Sequence, residues 1–288
     1  MNGKTVVART STVIALAVIM SAARAADPPT TVSGLKNPES AAVGPGGKVY
    51  VTMIGERDKK GDGSIVIVEP SGKIITFAAG LDDPKGLVVV GEQFFVADVT
   101  KVWRVDSRGK TEVYVGPEAF PRPPLFLNDI ASDGRGNLYV TDSGDRAGKK
   151  GAVFRVDAKR GVAMVLDGEL TSPRIEVPNG VLVDDADHIF VADFGLGDLY
   201  RYDMTTSTAQ RVGGGFGGTD GLARDARGRL FVGDWKNGRV FRINSDFEPP
   251  TMISDRFQSA ADLSLTPDGR TLLVPDMKAG TLTWLPVP

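Results

Sequence analysis

One pattern is repeated along this chain, and each copy offers a single side chain at the same step. A polar residue is followed by a small residue or Asp, an apolar stretch, a turn, a strand and a closing Asp. The segments PESAAVGPGGKVYVTM, LNDIASDGRGNLYVTD, PNGVLVDDADHIFVAD and TDGLARDARGRLFVGD carry Glu39, Asn128, Asn179 and Asp220 at that step. A Val stands twelve places after each, at Val51, Val140, Val191 and Val232, and Asp142, Asp193 and Asp234 follow two places later. The first copy has Met53 there. Two weaker copies, PKGLVVVGEQFFVAD and AADLSLTPDGRTLLVPD, put Lys85 and Ala261 at the step and close on Asp98 and Asp276. The six steps, at positions 39, 85, 128, 179, 220 and 261, leave room for about four short strands and their turns per copy.

The second copy shows those strands. GLVVV, GEQFFVAD, KVWRVD and KTEVYVG are rich in β-branched and aromatic residues and are bounded by Gly, Asp or Lys-Gly turns. Nothing beyond the N-terminal leader keeps a helical period over ten or more residues. The expectation is an all-β fold, a six-bladed β-propeller formed as one domain by residues 26–288. The last copy ends in one late strand, TLTWLPVP. Near the start, TTVSGLKNP resembles ITFAAGLDDP, the outer strand of the first blade running into the second. Residues near Thr30 to Ser33 are therefore expected to supply the missing outer strand of blade six, which would cover an open sheet edge.

Residues 1–25 read as an export signal. Lys4 and Arg9 form a basic start, Val13 to Met20 an apolar core, and Ala23-Arg24-Ala25 a small-x-small cleavage site. The apolar run is short for a membrane span. An exported protein, periplasmic or secreted and without stable membrane insertion, is expected. Removing Lys4, Arg9 and Arg24, and no acid, moves the formal charge from -2 to -5. That balance argues against a nucleic-acid partner. The chain has no Cys, so disulfides cannot staple it and lipid cannot be attached at Cys; the core, ring closure and a bound ion must stabilise it.

With no Cys and one His, ordinary zinc, copper and iron sites are excluded. His188 aligns with Arg229 of the next copy and reads as a strand-start residue after a surface turn. Oxygen donors remain. Glu39, Asn128, Asn179 and Asp220 offer two carboxylates and two amide carbonyls, which suits a hard divalent cation: Ca²⁺ first, or Mn²⁺ or Mg²⁺. The alternative is that these residues solvate a wet channel or cap turns. If an ion is held, Asp220 is the candidate general base, because a carboxylate beside a cation can take a proton while the ion offsets the charge change. Glu39 is the reserve.

The motifs PES, LND, VPNG and TDG, each leading into an inner strand near a hairpin such as DGRGNLYVTD or DARGRLFVGD, resemble the gluconolactonase and senescence-marker-protein family of six-bladed propellers. A more distant likeness is to paraoxonases and diisopropyl fluorophosphatase. The resemblance spans the chain beyond the leader. It implies that Glu39, Asn179 and Asp220 hold a catalytic divalent ion, usually calcium, and that Asn128 is a further ligand or a substrate contact. It also implies that Asp220 is the general acid/base in lactone opening. Sugar-lactone members often carry an Arg two places before the matching Asn. Phe126 stands there in this chain, and Arg122 is off register; a more apolar lactone or ester is the alternative small-molecule substrate. Lys85, at the blade-two step, either meets a substrate carboxylate or balances charge in the channel.

The turns Gly55–Ser64 and Ser143–Ala152 are expected at the channel mouth. Their Arg57, Lys59, Lys60, Arg146, Lys149 and Lys150 would attract an anionic substrate or simply be solvated. Phe120, Leu125, Phe126 and Leu127 form either an apolar wall over the site or packing between blades. GGGFGG (213–218) lacks the following helix that a dinucleotide site needs. DKKGDGSIVIVE has Lys60 at a ligand position of a calcium loop and reads as a hairpin turn. The closing Asp residues are expected to tie turns to backbone N–H groups. Three functions compete: a metal-dependent lactone-opening hydrolase, a phosphotriesterase-like hydrolase on the same metal, and a non-catalytic propeller that binds a ligand or protein.

Overall fold

The computed structural model describes residues 30–288 other than 146 and 246, together with residues 1 and 3. Apart from residues 1 and 3, the segment expected to be an export signal, with its expected cleavage site, lies outside the described residues. Six four-stranded antiparallel sheets are present. Their inner strands run Pro38–Val43, Pro84–Val90, Leu127–Ser132, Pro178–Val183, Thr219–Arg224 and Ser264–Leu265. Each inner strand contacts the inner strands of both neighbouring blades, so the six close into a ring. Thr30–Ser33 pairs antiparallel with Thr281–Pro286 and is the outer strand of blade six. The ring is closed by an N-terminal strand, as the likeness of TTVSGLKNP to ITFAAGLDDP implies.

Strand alternation builds the core. In the second strands, Tyr50, Phe95, Tyr139, Phe190, Phe231 and Leu273 pack into the seam with the following blade. The next residue of each, Val51, Val96, Val140, Val191, Val232 or Val274, packs into the seam with the preceding one. A period of two with both faces buried gives apolar residues on both sides of the strand. Burying each large side chain contributes about 1.5–3 kcal/mol.

The closing Asp residues pin the inter-blade segments. Asp98 accepts the N–H groups of Asp82 (2.9 Å) and Asp83 (2.7 Å), and Asp142 those of Leu125 (3.1 Å) and Phe126 (2.8 Å). Asp193 takes Glu176 and Val177, Asp234 takes Gly218, and Asp276 takes Gln258 and Ser259. Each carboxylate thus fixes the chain just before an inner strand begins. In blade one the Met53 Sδ meets the Lys36 N–H at 3.4 Å instead.

A β-bulge lies at the same place in five of the six inner strands. In blade one, Pro38 pairs with Met53 but Ala41 with Val51, a shift of one residue. The same shift occurs between Pro84 and Leu87, Leu127 and Ile130, Pro178 and Val181, and Thr219 and Leu222. The two residues inside each shift are the step residue and its follower. Released from the ladder, they can be aimed differently from the rest of the strand.

Candidate active site

The five bulges, with Ala261 and Asp262 just before the blade-six inner strand, give two layers of six residues. The step layer is Glu39, Lys85, Asn128, Asn179, Asp220 and Ala261. The follower layer is Ser40, Gly86, Asp129, Gly180, Gly221 and Asp262. All four predicted ligands are buried, and each has one oxygen without a hydrogen-bond partner: Glu39 Oε2, Asn128 Oδ1, Asn179 Oδ1 and Asp220 Oδ1. Burying a polar atom unpaired costs about 1–3 kcal/mol. Four such atoms at matched steps of one ring are the chemistry of a cation cup. Among the described residues no three carboxylate or imidazole groups are arranged as a ready metal site. The four step donors are a mixture of carboxylates and amides. Asn179 donates a side-chain hydrogen bond to Asp220. Asn128 Nδ2 donates to Ser143 Oγ at 3.1 Å, and Ser143 in turn donates to the Pro178 carbonyl at 2.8 Å. The amide carbonyl of Asn128 is left free by that arrangement.

The carboxylates are crowded. Burial, then the Asp129 charge, pushes Asp220 up to about 8, against the pull of its hydrogen bond from Asn179. Glu39 lies well above the usual carboxylate range through burial and the charges of Asp220, Asp262 and Asp129. A divalent cation relieves that repulsion, so the donor set fits such an ion.

The follower layer ties the blades together, and sequence reasoning missed it. Asp129 accepts the N–H of Ile130 (2.6 Å) and, across the seam, that of Val181 (2.7 Å). Ser40 Oγ donates to Asp262 Oδ2 at 2.6 Å and accepts the Leu87 N–H at 3.2 Å. Burial raises Asp129 to about 6 and Asp262 well above its ordinary value. Small residues make room for these acids: a Cβ on Gly86 would lie 2.6 Å from Asp129 Cα, and one on Gly221 would collide with Asp262. The signal was visible as the small-or-Asp column after each step, but only the ring shows that an acid in one blade faces a glycine in the next.

Two other predicted contacts come together. Lys85 is buried, and its Nζ lies 4.2 Å from the centroid of the Phe126 ring. It donates to the Asp83 carbonyl at 3.0 Å. Burial lowers its pKa, and the Glu39 charge opposes that shift. The apolar segment divides: Phe120 and Leu127 are in the blade-two/blade-three core, whereas Leu125 and Phe126 are exposed at the mouth. On the blade-six side, Ala261 packs with Ile54, Met277 and Trp235. Of the rim cations, Lys59 pairs with Glu56 and Asp62, and Arg57 Nη2 meets Met277 Sδ. Lys149 and Lys150 are exposed, and Arg146 is outside the described residues. His188 starts a strand and bonds Asp185, away from the cup. Gly55–Asp62 connects two paired strands as a hairpin, and no helix follows Gly213–Gly218.

The fold is a closed six-bladed ring with buried carboxylate and amide oxygens at matched steps, a β-propeller. Residues 81–274 match the SMP-30/gluconolactonase/LRE-like region, and the chain belongs to that family. No curated protein sequence matches it significantly. Among solved structures, it is similar to a calcium-binding protein, regucalcin, from Agrobacterium tumefaciens strain C58. That likeness has 19% identity, a TM-score of 0.69, and covers 87% of this chain and 90% of the other. A provisional gluconolactonase gives 16% identity, a TM-score of 0.70, and coverage of 90% and 92%. At those identities the two structures speak for the fold.

Proposed function

We propose that this protein is an exported hydrolase that opens a lactone or small ester, working with a divalent ion held by Glu39, Asn128, Asn179 and Asp220. The observation that carries the reading is the set of four buried, unpartnered oxygens at matched bulges. The family and the printed description of regucalcin as calcium-binding support Ca²⁺ as the ion, with Mn²⁺ or Mg²⁺ as substitutes. When bound, such an ion supplies Lewis acidity toward a carbonyl oxygen.

The chain's own residues supply the rest. Asp220 is the proton acceptor: its carboxylate is buried and takes a hydrogen bond from Asn179. Asn128, held by Ser143, offers its carbonyl oxygen to the ion or to substrate. Lys85 and Phe126 border the cup and contact the substrate. Asp129 and Asp262 act as positioning residues, since their bonds run to Val181 and Ser40 beside the step layer. The leader supports a periplasmic or secreted location.

The test is a panel of lactones, esters and phosphotriesters given to the mature protein with Ca²⁺ and with chelator. Chelator-sensitive lactone opening is expected. Turnover of phosphotriesters alone would move the chemistry to phosphorus, and ion binding without any turnover would make the protein a binding propeller.

A further inference from the structure

The blade-two position breaks the pattern of the cup. Where blades one, three, four and five present oxygen, blade two presents an ammonium. Lys85 is only 5% exposed. An ammonium has three protons to place, and burying it costs several kcal/mol unless they are satisfied. One goes to the Asp83 carbonyl at 3.0 Å, and the π face of Phe126 takes a second direction at 4.2 Å. Lys85 forms no ion pair among the described residues. The charges of Glu39, Asp83 and Asp98 act on Lys85, but all three carboxylates stand beyond ion-pair distance. A donor direction is thus left over on a buried cation that borders the same space as the four free oxygens.

Its support is rigid. The Lys85 carbonyl accepts the Thr52 hydroxyl at 2.7 Å. Phe126 is fixed on both sides of its backbone, by Asp142 at its N–H and by the Ser143 N–H at its carbonyl, 2.9 Å away. Leu127 is tied to the Val99 carbonyl at 2.7 Å, where Val99 itself takes a left-handed φ of 43°. A β-branched residue in that conformation is held there by its surroundings. Where blades one, five and six meet, the residues are of another character: Ala261, Ile54, Met277 and Trp235 pack as an apolar cluster. The step layer thus carries a cation at blade two and a methyl group, Ala261, at blade six.

We propose that Lys85 is the specificity residue of this cup and receives a carboxylate carried by the substrate, so that the substrate is a small acid-bearing lactone or ester. The assignment rests on the hydrolase reading above, and it names the substrate class of that site. Phe126 keeps the ammonium pointed by cation–π contact.

Two measurements test it. In the first, succinate and butyrate, which differ by a carboxylate in place of a methyl, are titrated calorimetrically into the Ca²⁺-loaded protein. Succinate is expected to bind at least tenfold tighter, and Lys85→Met or Lys85→Gln should abolish that preference. Equal binding of the two acids by the wild type, or a preference that survives in both variants, overturns the assignment. In the second, 5-oxotetrahydrofuran-2-carboxylate is compared with γ-valerolactone as substrate. Lys85→Met should raise KM for the first at least tenfold more than for the second; an equal rise in KM or an equal fall in kcat on both would make Lys85 a general contact and sink the proposal. Failure of the hydrolase reading looks different: neither lactone opens, while the Lys85-dependent succinate preference persists. Thermal unfolding of both variants checks that they remain folded.

Discussion

The two ends of the propeller use the same side chain under opposite conditions. At the end away from the cup, hairpin aspartates are saturated with donors. Asp106 accepts the N–H groups of Lys110 and Arg108, which hold it below the usual carboxylate range. Asp268 is held down by the Thr266 hydroxyl and the Arg270 N–H. At the cup end, Asp129, Asp220 and Asp262 are pushed up, first by burial. Hydrogen bonds to the charged form stabilise it, while desolvation and like charges oppose it. One set finishes turns. The other stores electrostatic tension that a cation can release, and that contrast separates scaffold from chemistry in a protein whose blades are otherwise alike.

The contrast is tested most severely by Asp220→Asn. Loss of about 10²–10⁴-fold in kcat is expected for removal of a general base, with thermal stability retained because a crowded charge is gone; near wild-type turnover would remove Asp220 from catalysis. Next in size is the scaffold itself. Phe231→Ala empties a fully buried seam position and should cost about 3–5 kcal/mol of stability in denaturant titration, with KM unchanged in the folded fraction. A change in KM alone would mean that seams and cup are not separable.

The pH dependence follows from the raised acids. An acid held above its ordinary pKa in the folded state keeps a proton that the unfolded chain has already released. Folding is therefore favoured at the acid end and loses that contribution as pH rises through the folded pKa. For Asp129, at about 6, and Asp220, at about 8, the window runs from the ordinary carboxylate range to about pH 8. The metal-free protein should lose roughly 5 °C of Tm across it, and saturating Ca²⁺ should flatten the profile. A Tm that rises with pH in chelator contradicts the crowding. The smallest effect is expected at the far end: Asp268→Ala should shift Tm by no more than about 2 °C and leave Ca²⁺ affinity untouched.

Much of this was legible before any coordinates. The repeat, the six blades, the closing strand at Thr30–Ser33 and the turn-tying role of Asp98, Asp142, Asp193, Asp234 and Asp276 all follow from local pattern, because strand alternation and turn chemistry are local physics. The step residues were legible for the same reason. What stayed hidden is non-local. The register shift that re-aims Glu39 and Asp220 depends on pairing with another strand. The fit of Asp262 against Gly221 and Ser40 depends on ring closure, which joins residues 222 positions apart. Lys85 beside Phe126 is likewise a contact between blades. The ion pairs of Lys59 with Glu56 and Asp62, three residues away on either side, were in reach of local pattern but were not read from it.

Calcium titration of the chelator-treated protein, followed by calorimetry, bears most directly on the cup. The wild type is expected to take up one ion per chain at the cup with its Tm raised. Glu39→Gln combined with Asp220→Asn should lose that uptake, whereas Asp268→Ala should keep it. Uptake that is absent in the wild type, or unchanged in the double variant, would contradict the convergence of these four oxygens on a cation.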